Sequence, residues 1–357
     1  MHCHISGRTR VVLIAGVLAC AAWVAGVARP VIGRGEPTRV RYAHSLAGRA
    51  RRAFAKASIV GGAGASIADY PFQVALYDPQ SGSPASGFFC GGVIIDSTHI
   101  ATAAHCVVGA GGGHASPSGG LAVLAGSTSL SSLTPGSIED PVQSSAYDRR
   151  YNPITSDYDI ALLTLERPLW SGAAPALNGS STIAPLPIDT AAALAHGNPN
   201  LTPSPIATAS GWGDVNPSPS GSPGYPTSLR AVRMGLVSDG ACEEDYATIE
   251  QSITPRMICA GGGRTHVDTC YGDSGGPLVV DQDSPARPPG DYVLVGLVDF
   301  GNGCAQRNYP GVYVSVANPE IARFLQSGMG HRAVAAGGRA KHRHRKRHRH
   351  RRRGAPA

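Results

Sequence analysis

Three polar side chains in separate segments of the chain have the types that nucleophilic catalysis requires. They are His105 in the sequence TAAHC, Asp159 in DYDIALL and Ser274 in DTCYGDSGGP. A serine hydroxyl is a weak nucleophile, so it needs a base and a group that orients the base. An imidazole can take the hydroxyl proton and a carboxylate can hold the imidazole. The three residues together therefore predict nucleophilic catalysis.

The turn around Ser274 is rich in glycine. Glycine permits a tight turn and lets the backbone of another molecule approach closely. In such a turn the amides of Gly272 and Ser274 would both point at an oxyanion that develops on a substrate.

The net charge of +7 is unevenly distributed along the 357 residues. Residues 1–58 have ten Lys or Arg and one acid, which gives +9, and residues 331–357 have eleven and none, which gives +11. Residues 59–330 have ten Lys or Arg and 23 acids, which gives −13. The basic character belongs to the two ends, so we expect no specific binding of nucleic acid by the central region.

The N-terminal residues have the composition of export and processing segments. Residues 1–28 read as a signal peptide, with Arg8 and Arg10 before an apolar run and small residues at 26–28. A membrane anchor is the alternative, but the apolar run is short for a span. Residues 29–58 are basic and lack the apolar periodicity of a domain, which indicates a propeptide.

The C-terminal tail, residues 331–357, contains an uninterrupted run of Lys, Arg and His at 341–353. Like charges repel and no apolar residue can drive folding there, so we expect the tail to be disordered. Its charge would attract polyanions at low salt. A solvated tail without a partner is the simpler alternative.

From position 59 onward, short apolar runs alternate with turns rich in Gly, Pro and Ser. The runs lie at 72–77, 92–95, 160–165, 231–237, 277–280, 292–298 and 311–316. Such spacing predicts an all-β sandwich or barrels. We interpret 171–210 as a connector with a surface loop, and 319–325 as a short amphipathic helix.

Four motifs resemble those of the trypsin/chymotrypsin family of serine proteases, most like its secreted bacterial members. They are IVGG at 59–62, TAAHC at 102–106, DIALL at 159–163 and GDSGGP at 272–277. The resemblance covers residues 59–327. It implies a protease domain over 59–330 made of two six-stranded antiparallel β-barrels, with the active site in the cleft between them and a short C-terminal helix.

The resemblance also implies roles for the three polar residues. Ser274 would attack the peptide carbonyl, His105 would carry the proton to the leaving amine, and Asp159 would fix the imidazole tautomer. By spacing alone Asp157 competes with Asp159, but the family motif has the carboxylate directly before Ile-Ala-Leu. Gly272 and Ser274 would form the oxyanion hole. No metal or cofactor is implied.

Six of the eight cysteines form an even set in the central region. With an export signal, such a set indicates disulfides in an oxidising compartment, although spacing leaves their pairing open. The resemblance implies the pairs Cys90–Cys106, Cys242–Cys259 and Cys270–Cys304.

Ile59 and Asp273 are the expected activation pair. In the family, cleavage before this isoleucine frees an α-ammonium that pairs with the buried carboxylate and shapes the oxyanion hole and the specificity pocket. This chain has Lys56-Ala-Ser58 where the family usually has Arg or Lys. A tryptic cut after Lys56 would leave two extra residues, which argues against simple self-activation.

Asp268 matches the floor of the family's specificity pocket, and Gly301 and Gly311 match its walls. A buried carboxylate without a partner is costly, so it would select a cation. We therefore expect cleavage after Arg or Lys.

Asp299 and Phe300 depart from the family, which usually has Ser-Trp before the glycine at position 301. That serine touches the catalytic carboxylate, so Asp299 would bring a second carboxylate near Asp159. Two close carboxylates resist joint ionisation, and one would hold a proton. Alternatively, Asp299 turns towards solvent or a local cation.

These interpretations predict a secreted, monomeric serine endopeptidase that acts on proteins and peptides after Arg or Lys through an acyl-enzyme. No stable membrane span is expected after signal removal. Two alternatives stay open. One is a protease of narrow or non-tryptic specificity, in which Asp299 and Tyr271 alter the cleft. The other is a weakly catalytic homologue that binds polyanions through its basic tail.

Overall fold

In the computed structural model, the described residues are 59–108, 120–177, 181–216, 224–262, 266–281 and 292–329. The expected signal peptide, propeptide and basic tail lie outside these ranges, and so does most of the Gly/Ser-rich loop at 109–120. The boundaries at 28, 58 and 330 stay predictions.

Six strands close into a first antiparallel barrel, after a short strand β1 (Ala63–Gly64) that belongs to the second. They are β2 (Gln73–Tyr77), β3 (Phe88–Ile94), β4 (His99–Thr102), β5 (Ala122–Ala125), β6 (Ile138–Tyr147) and β7 (Ala161–Leu165), paired in the order β2-β3-β4-β7-β6-β5. Alternate residues of β2 face opposite sides of the sheet, and apolar side chains pack against both sides. Val74 and Leu76 pack in one apolar cluster, while Ala75 and Tyr77 pack in another with Trp212.

The second barrel closes in the same manner. Its strands are β8 (Ile206–Gly211), β9 (Arg230–Val237), β10 (Met257–Ala260), β11 (Pro277–Asp281), β12 (Tyr292–Phe300) and β13 (Gly311–Ser315), paired in the order β8-β9-β10-β13-β12-β11 and closed by the pairing of β11 with β8. β1 pairs with Arg230 and Ala231, the first residues of β9. Two closed six-stranded barrels confirm the expected fold class.

The described residues form four α-helices: α1 (Pro84–Gly87), α2 (Thr190–His196), α3 (Asp239–Ala247) and α4 (Pro319–Gly328). The expected C-terminal helix is α4, in which the side chain of Asn318 caps the amide of Glu320 while Ile321 and Leu325 are buried. Among the described residues, no helix has both the length and the apolar composition needed to cross a membrane.

Helix α2 lies inside the segment 171–210 that the sequence indicates as a connector loop, so that interpretation is incomplete. The carboxylate of Asp189 accepts a hydrogen bond from the amide of Ala192 at 2.9 Å and begins the helix. Ala193 is then fully buried against the second barrel. A short run of small residues is enough for this helix because tertiary packing stabilises it.

The two barrels meet through backbone and buried polar contacts. The amide of Gly91 on β3 donates to the carbonyl of Ser274 at 2.8 Å. The hydroxyl of Ser210 on β8 donates to the side chain of Gln73 on β2 at 2.7 Å, and both residues are buried. These contacts hold the segments of the candidate site against one another.

Candidate active site

His105 and Asp159 form a directly bonded pair at the end of the first barrel. His105 lies in a 3-10 turn (Ala104–Cys106) after β4, and Asp159 lies just before β7. The imidazole Nδ1 is 2.6 Å from one oxygen of Asp159, and the backbone amide of His105 donates to the other at 2.7 Å. An ionised carboxylate only accepts, so Nδ1 carries the hydrogen and Nε2 is left to act as a base.

Electrostatics favour the charged pair. Burial opposes the ionised form of Asp159, but the charge and the hydrogen bonds of His105 outweigh it and lower the pKa of the carboxyl. For His105, burial lowers the pKa, and the charge and hydrogen bond of Asp159 more than compensate, so the imidazole pKa is raised. The pair therefore stabilises an imidazolium, which is the species that a general base becomes.

Asp157, the competing carboxylate, is bonded elsewhere. It forms an ion pair with Arg256 at 2.7 Å and accepts a hydrogen bond from the hydroxyl of Thr254 at 2.9 Å. Burial raises the pKa of Asp157, but the bonds to Arg256 and Thr254 lower it below its usual value. The structure brings Asp159, and not Asp157, to the imidazole.

Tyr158, between these two carboxylates, is a residue that the sequence interpretation does not single out. Its ring lies between two guanidinium groups, with Arg150 at 4.0 Å and Arg256 at 4.6 Å from the ring centre. Its hydroxyl donates to Glu320 on α4 at 2.6 Å. Tyr158 has a backbone φ of 58° and directly precedes Asp159, so these contacts anchor the segment that carries the carboxylate. Only its place between two aspartates could have drawn attention to it.

The Ser274 turn lies against the segment that contains His105. Sγ of Cys106 is 3.7 Å from the carbonyl oxygen of Ser274. Gly275 has a φ of 74°, and a Cβ there would collide with Oγ1 of Thr102. A glycine is required at this position both by the backbone conformation and by the close approach.

The backbone around Ser274 offers two amide donors. Gly272 has a φ of 94°, which favours glycine. Within the described residues, the hydrogen bonds give neither the amide of Gly272 nor that of Ser274 an acceptor. Two amides on either side of Asp273, without an acceptor among the described residues, are the donor set that an oxyanion needs.

A pocket of about 210 Å³ opens beside Ser274. Asp268, Gly301 and Gly311 line it together with Ser274. A Cβ at position 311 would lie 2.6 Å from Oδ1 of Asp268. Glycine at this wall therefore keeps the carboxylate accessible from the pocket.

Asp268 is 1% exposed, and its two oxygens differ. Oδ2 accepts from the amide of Ala305 at 2.9 Å, while Oδ1 has no partner among the described residues. Burial raises the pKa of Asp268 to about 7. A buried, half-satisfied carboxylate at the end of a pocket is a site for a cation.

Asp273, next to Ser274, is also buried. Its oxygens accept from the amides of Gly213 at 2.8 Å and Cys270 at 2.9 Å. Burial raises the pKa of Asp273 to about 7 in spite of these bonds. Ile59 is fully buried in an apolar cluster that contains residues of both barrels, and the carbonyl of the following residue, Val60, accepts from the amide of Asp268 at 3.0 Å.

Three disulfides brace these segments. They join Cys90 to Cys106, Cys242 to Cys259 and Cys270 to Cys304, with Cα–Cα distances of 6.2, 6.3 and 5.3 Å. The pairs are those that the resemblance implies. The first lies directly beside His105, and the third connects the Ser274 turn to the opposite wall of the pocket.

Comparison with known proteins defines the class. The family model named Trypsin matches residues 59–322. Trypsin beta of Drosophila erecta is 36% identical over 260 residues, which cover 73% of this chain and 85% of that protein. Trypsin-1 of Astacus astacus is 34% identical over 260 residues, which cover 72% of this chain and 95% of that protein. The chain therefore belongs to the trypsin family of serine endopeptidases.

A longer relative shows the same similarity. Tissue-type plasminogen activator of Homo sapiens is 32% identical over 269 residues, which cover 73% of this chain and 43% of that protein. The chain thus spans less than half the length of that relative. The relatives named here are animal proteins, so they give no support to the expected likeness to bacterial enzymes.

Proposed function

We propose that this chain is a secreted endopeptidase that hydrolyses peptide bonds after Arg or Lys. The observation that carries the specificity is the buried carboxylate of Asp268 in the pocket next to Ser274, where Oδ1 has no partner among the described residues. A long cationic side chain would supply the missing partner. A neutral side chain would leave the carboxylate unpaired, and that is costly.

His105, Asp159 and Ser274 act as the catalytic triad. Oγ of Ser274 attacks the peptide carbonyl carbon while Nε2 of His105 takes the hydroxyl proton, and the new oxyanion accepts from the amides of Gly272 and Ser274. The C–N bond then breaks, and the imidazolium returns its proton to the leaving amine, which leaves an acyl-enzyme. Water repeats the sequence: its proton passes to His105 and its oxygen bonds to the acyl carbon. Ser274 then leaves with that proton.

Activation in this account needs Ile59 as a free N-terminus. Among the described residues no Lys or Arg forms an ion pair with the buried Asp273, and the burial raises its pKa. The α-ammonium of Ile59 would provide the cation, as the family resemblance implies. Because Ser58 precedes Ile59, a second protease or a trimming aminopeptidase must complete the cut.

Protein and peptide substrates are the partners of this function. Secretion rests on residues 1–28, whose pattern is that of a signal peptide. We propose a monomer. Electrostatic contact of the tail with polyanions is a separate consequence of its charge.

A serine-directed phosphonylating probe tests the triad. The full-length chain is prepared with a specific activating-protease site in place of residues 54–58, so that Ile59 can be freed. We expect the probe to modify Ser274 after cleavage and much more slowly before it, with no labelling in Ser274→Ala. Labelling that is independent of cleavage would contradict the activation step, and no labelling of Ser274 in the cut, folded chain would contradict the triad.

A cleavage map of an unfolded protein substrate then tests the specificity. Cuts confined to Arg and Lys are expected. Cuts after other residues would favour the protease of non-tryptic specificity, and labelled but non-cleaving protein would favour the weakly catalytic homologue.

A further inference from the structure

Asp299, on β12, brings a second carboxyl to the catalytic pair. It is 5% exposed, so it does not turn towards solvent. One ring nitrogen of His105 and one carboxylate oxygen each of Asp159 and Asp299 lie within 4.8 Å of one another. Neither oxygen of Asp299 accepts a well-formed hydrogen bond from a described donor. An ionised carboxylate in that position would lack any compensation for its burial.

Titratable groups surround Asp299 on several sides. They are His105 from the turn after β4, Tyr151, Asp157 and Asp159 from the segment before β7, and Tyr246 from α3. No ion pair joins Asp299 to an Arg or Lys in the described part of the chain. Asp157 is already paired with Arg256. Burial raises the pKa of both tyrosines and keeps them neutral. Neither Asp157 nor the tyrosines therefore supply a positive charge that would stabilise an ionised Asp299.

The donors around the two carboxyls decide which one is ionised. Asp159 accepts two hydrogen bonds from His105, at 2.6 and 2.7 Å, and therefore keeps its charge. Asp299 accepts no well-formed hydrogen bond from a described donor, and it lies beside a charge of the same sign. Two buried carboxyls this close cannot both ionise, so the proton belongs on Asp299.

We propose that Asp299 is a positioning residue that stays protonated in the working enzyme and donates a hydrogen bond to Asp159. This inference rests on the proposed function, because it concerns the carboxylate that orients the catalytic base. The pair then holds one negative charge and one proton. The carboxylic acid takes the place in which the family usually has a serine hydroxyl, and it is likewise a neutral donor.

The pKa directions agree with this assignment. Burial raises the pKa of Asp299 well above its usual value, and the charge of Asp159 and a hydrogen bond with it add to the effect, against a smaller opposing effect of Ser156. The hydrogen bond with Asp299 is also among the contacts that lower the pKa of Asp159.

A neutral Asp299 has a consequence for His105. The imidazole then experiences the single negative charge of Asp159. If Asp299 were ionised, a second negative charge would raise the pKa of His105 further and shift the active, neutral imidazole to higher pH. The charge state of Asp299 can therefore be measured through His105.

The test uses the full-length Ser274→Ala chain, which gives both readouts without turnover. Asp299→Asn replaces the acid by a neutral donor of the same shape, and Asp299→Ser is a second neutral variant if the first does not fold. Asp140→Asn is the matched control, because Asp140 is likewise buried and its Oδ1 has no partner among the described residues, but it lies on β6 outside the site. Infrared spectra report protonated carboxyls, and histidine NMR reports the pKa of His105.

Spectra are taken about two pH units above 7, where Asp268 and Asp273 are ionised since the pKa of each is raised only to about 7. We expect a protonated carboxyl band that persists in Asp140→Asn and disappears in both Asp299 variants. We expect the pKa of His105 to change by less than about 0.3 units in Asp299→Asn. A missing band, whether from an ionised carboxyl or a bound cation, would overturn the proposal. So would a pKa of His105 lowered by about one unit or more.

Kinetics of the cut chain with Ser274 intact give the functional readout. Asp299→Asn should keep kcat within about threefold of the unsubstituted chain, while Asp299→Leu, which cannot donate, should lower it about tenfold or more. Equal losses in both variants would contradict the donor role. If the protein lacks protease activity altogether, the proposed function fails, while the infrared and NMR results still decide the state of Asp299.

Discussion

The two barrels supply the site with carboxylates in different states. In the first barrel, Asp159 is buried and accepts two hydrogen bonds from His105 in the chain as it stands. In the second barrel, Asp268, Asp273 and Asp299 are buried at 1%, 1% and 5% exposure, and none forms an ion pair with a described side chain. The first barrel therefore presents an acid–base pair that is already bonded, while the second presents buried carboxyls that still need a counterpart, which is either a cation or a proton.

This difference indicates which parts of the function depend on outside events. In our account Asp268 is completed by the cation of a substrate, Asp273 by the ammonium released at Ile59, and Asp299 by a proton. Burying a charge without a partner is unfavourable, so each counterpart can control a step. Specificity and activation would then both be properties of the second barrel.

The largest expected effect comes from breaking the hydrogen-bonded pair of His105 and Asp159. Asp159→Asn keeps the shape of the side chain but removes the acceptor that fixes the hydrogen on Nδ1 of His105. We expect kcat to fall about 10⁴-fold, the loss that a wrong imidazole tautomer causes in triads of this kind. Steady-state kinetics with an Arg amide substrate measure it, and Asp157→Asn is the control, expected to lose far less. A similar loss in Asp157→Asn would show that the carboxylate has been assigned wrongly.

The second largest effect concerns Asp268 in the pocket, whose expected partner is the cation of a substrate. Asp268→Asn removes the charge that a substrate cation would meet, and we expect kcat/KM for an Arg substrate to fall about 10²–10³-fold, as for the loss of one partner from a buried pair. Activity on a neutral substrate should not fall. The buried Asp140→Asn variant should retain activity on both. Proportional losses on cationic and neutral substrates would mean that Asp268 only supports the fold.

The third effect is on stability. The pKa values of Asp268 and Asp273 are raised to about 7 in the folded chain, so both groups bind protons more tightly when folded. Their stabilising contribution is complete below the unfolded pKa of about 4 and is lost as pH rises through about 7. Urea unfolding of uncut Ser274→Ala should therefore show a free energy of unfolding that falls by a few kcal/mol over that range.

Freeing Ile59 should reduce this fall, because an ammonium beside Asp273 favours its ionised form. Asp273→Asn in the uncut chain is the matched variant and should also show a smaller fall. The same pH dependence in cut and uncut protein would contradict the pairing of Ile59 with Asp273.

The smallest expected effect is on the number of protons that the protein releases when a substrate peptide binds. The pKa of Asp268 is raised to about 7, so the carboxyl is partly protonated near neutral pH, and a bound cation would drive the proton off. Calorimetry in buffers of different ionisation enthalpy should show proton release when an Arg peptide binds to cut Ser274→Ala near neutral pH, and less release as the pH is raised. A citrulline peptide of the same sequence is the neutral control. Equal proton release with both peptides would show that the release is not caused by the cation of the Arg side chain.

Much of this molecule could be predicted from the sequence. Short motifs carry chemistry locally, so TAAHC and GDSGGP indicate His105 and Ser274 without any knowledge of their distance. The apolar runs indicate seven of the thirteen described strands, and the amphipathic run at 319–325 indicates α4. The barrels themselves came from the family resemblance, because periodicity alone does not distinguish a sandwich from a barrel.

The remaining features depend on contacts between distant segments. Spacing could not separate Asp157 from Asp159, since the choice follows from Arg256, about a hundred residues away in the second barrel. Helix α2 was hidden in a segment rich in Pro and Ser. Whether Asp299 is buried or solvated is decided by the packing of β12 against the segment before β7, which no local pattern records.

The most direct test of the central claim is a panel of four amide substrates that differ only in the residue before the scissile bond, Arg, Lys, Phe or Ala. The full-length chain with Ile59 freed is compared with its Asp268→Asn and Ser274→Ala variants. Our account predicts hydrolysis of the Arg and Lys substrates alone, lost in Ser274→Ala and greatly reduced in Asp268→Asn. Equal or preferred hydrolysis of the Phe or Ala substrate would contradict the claim that Asp268 is completed by a substrate cation.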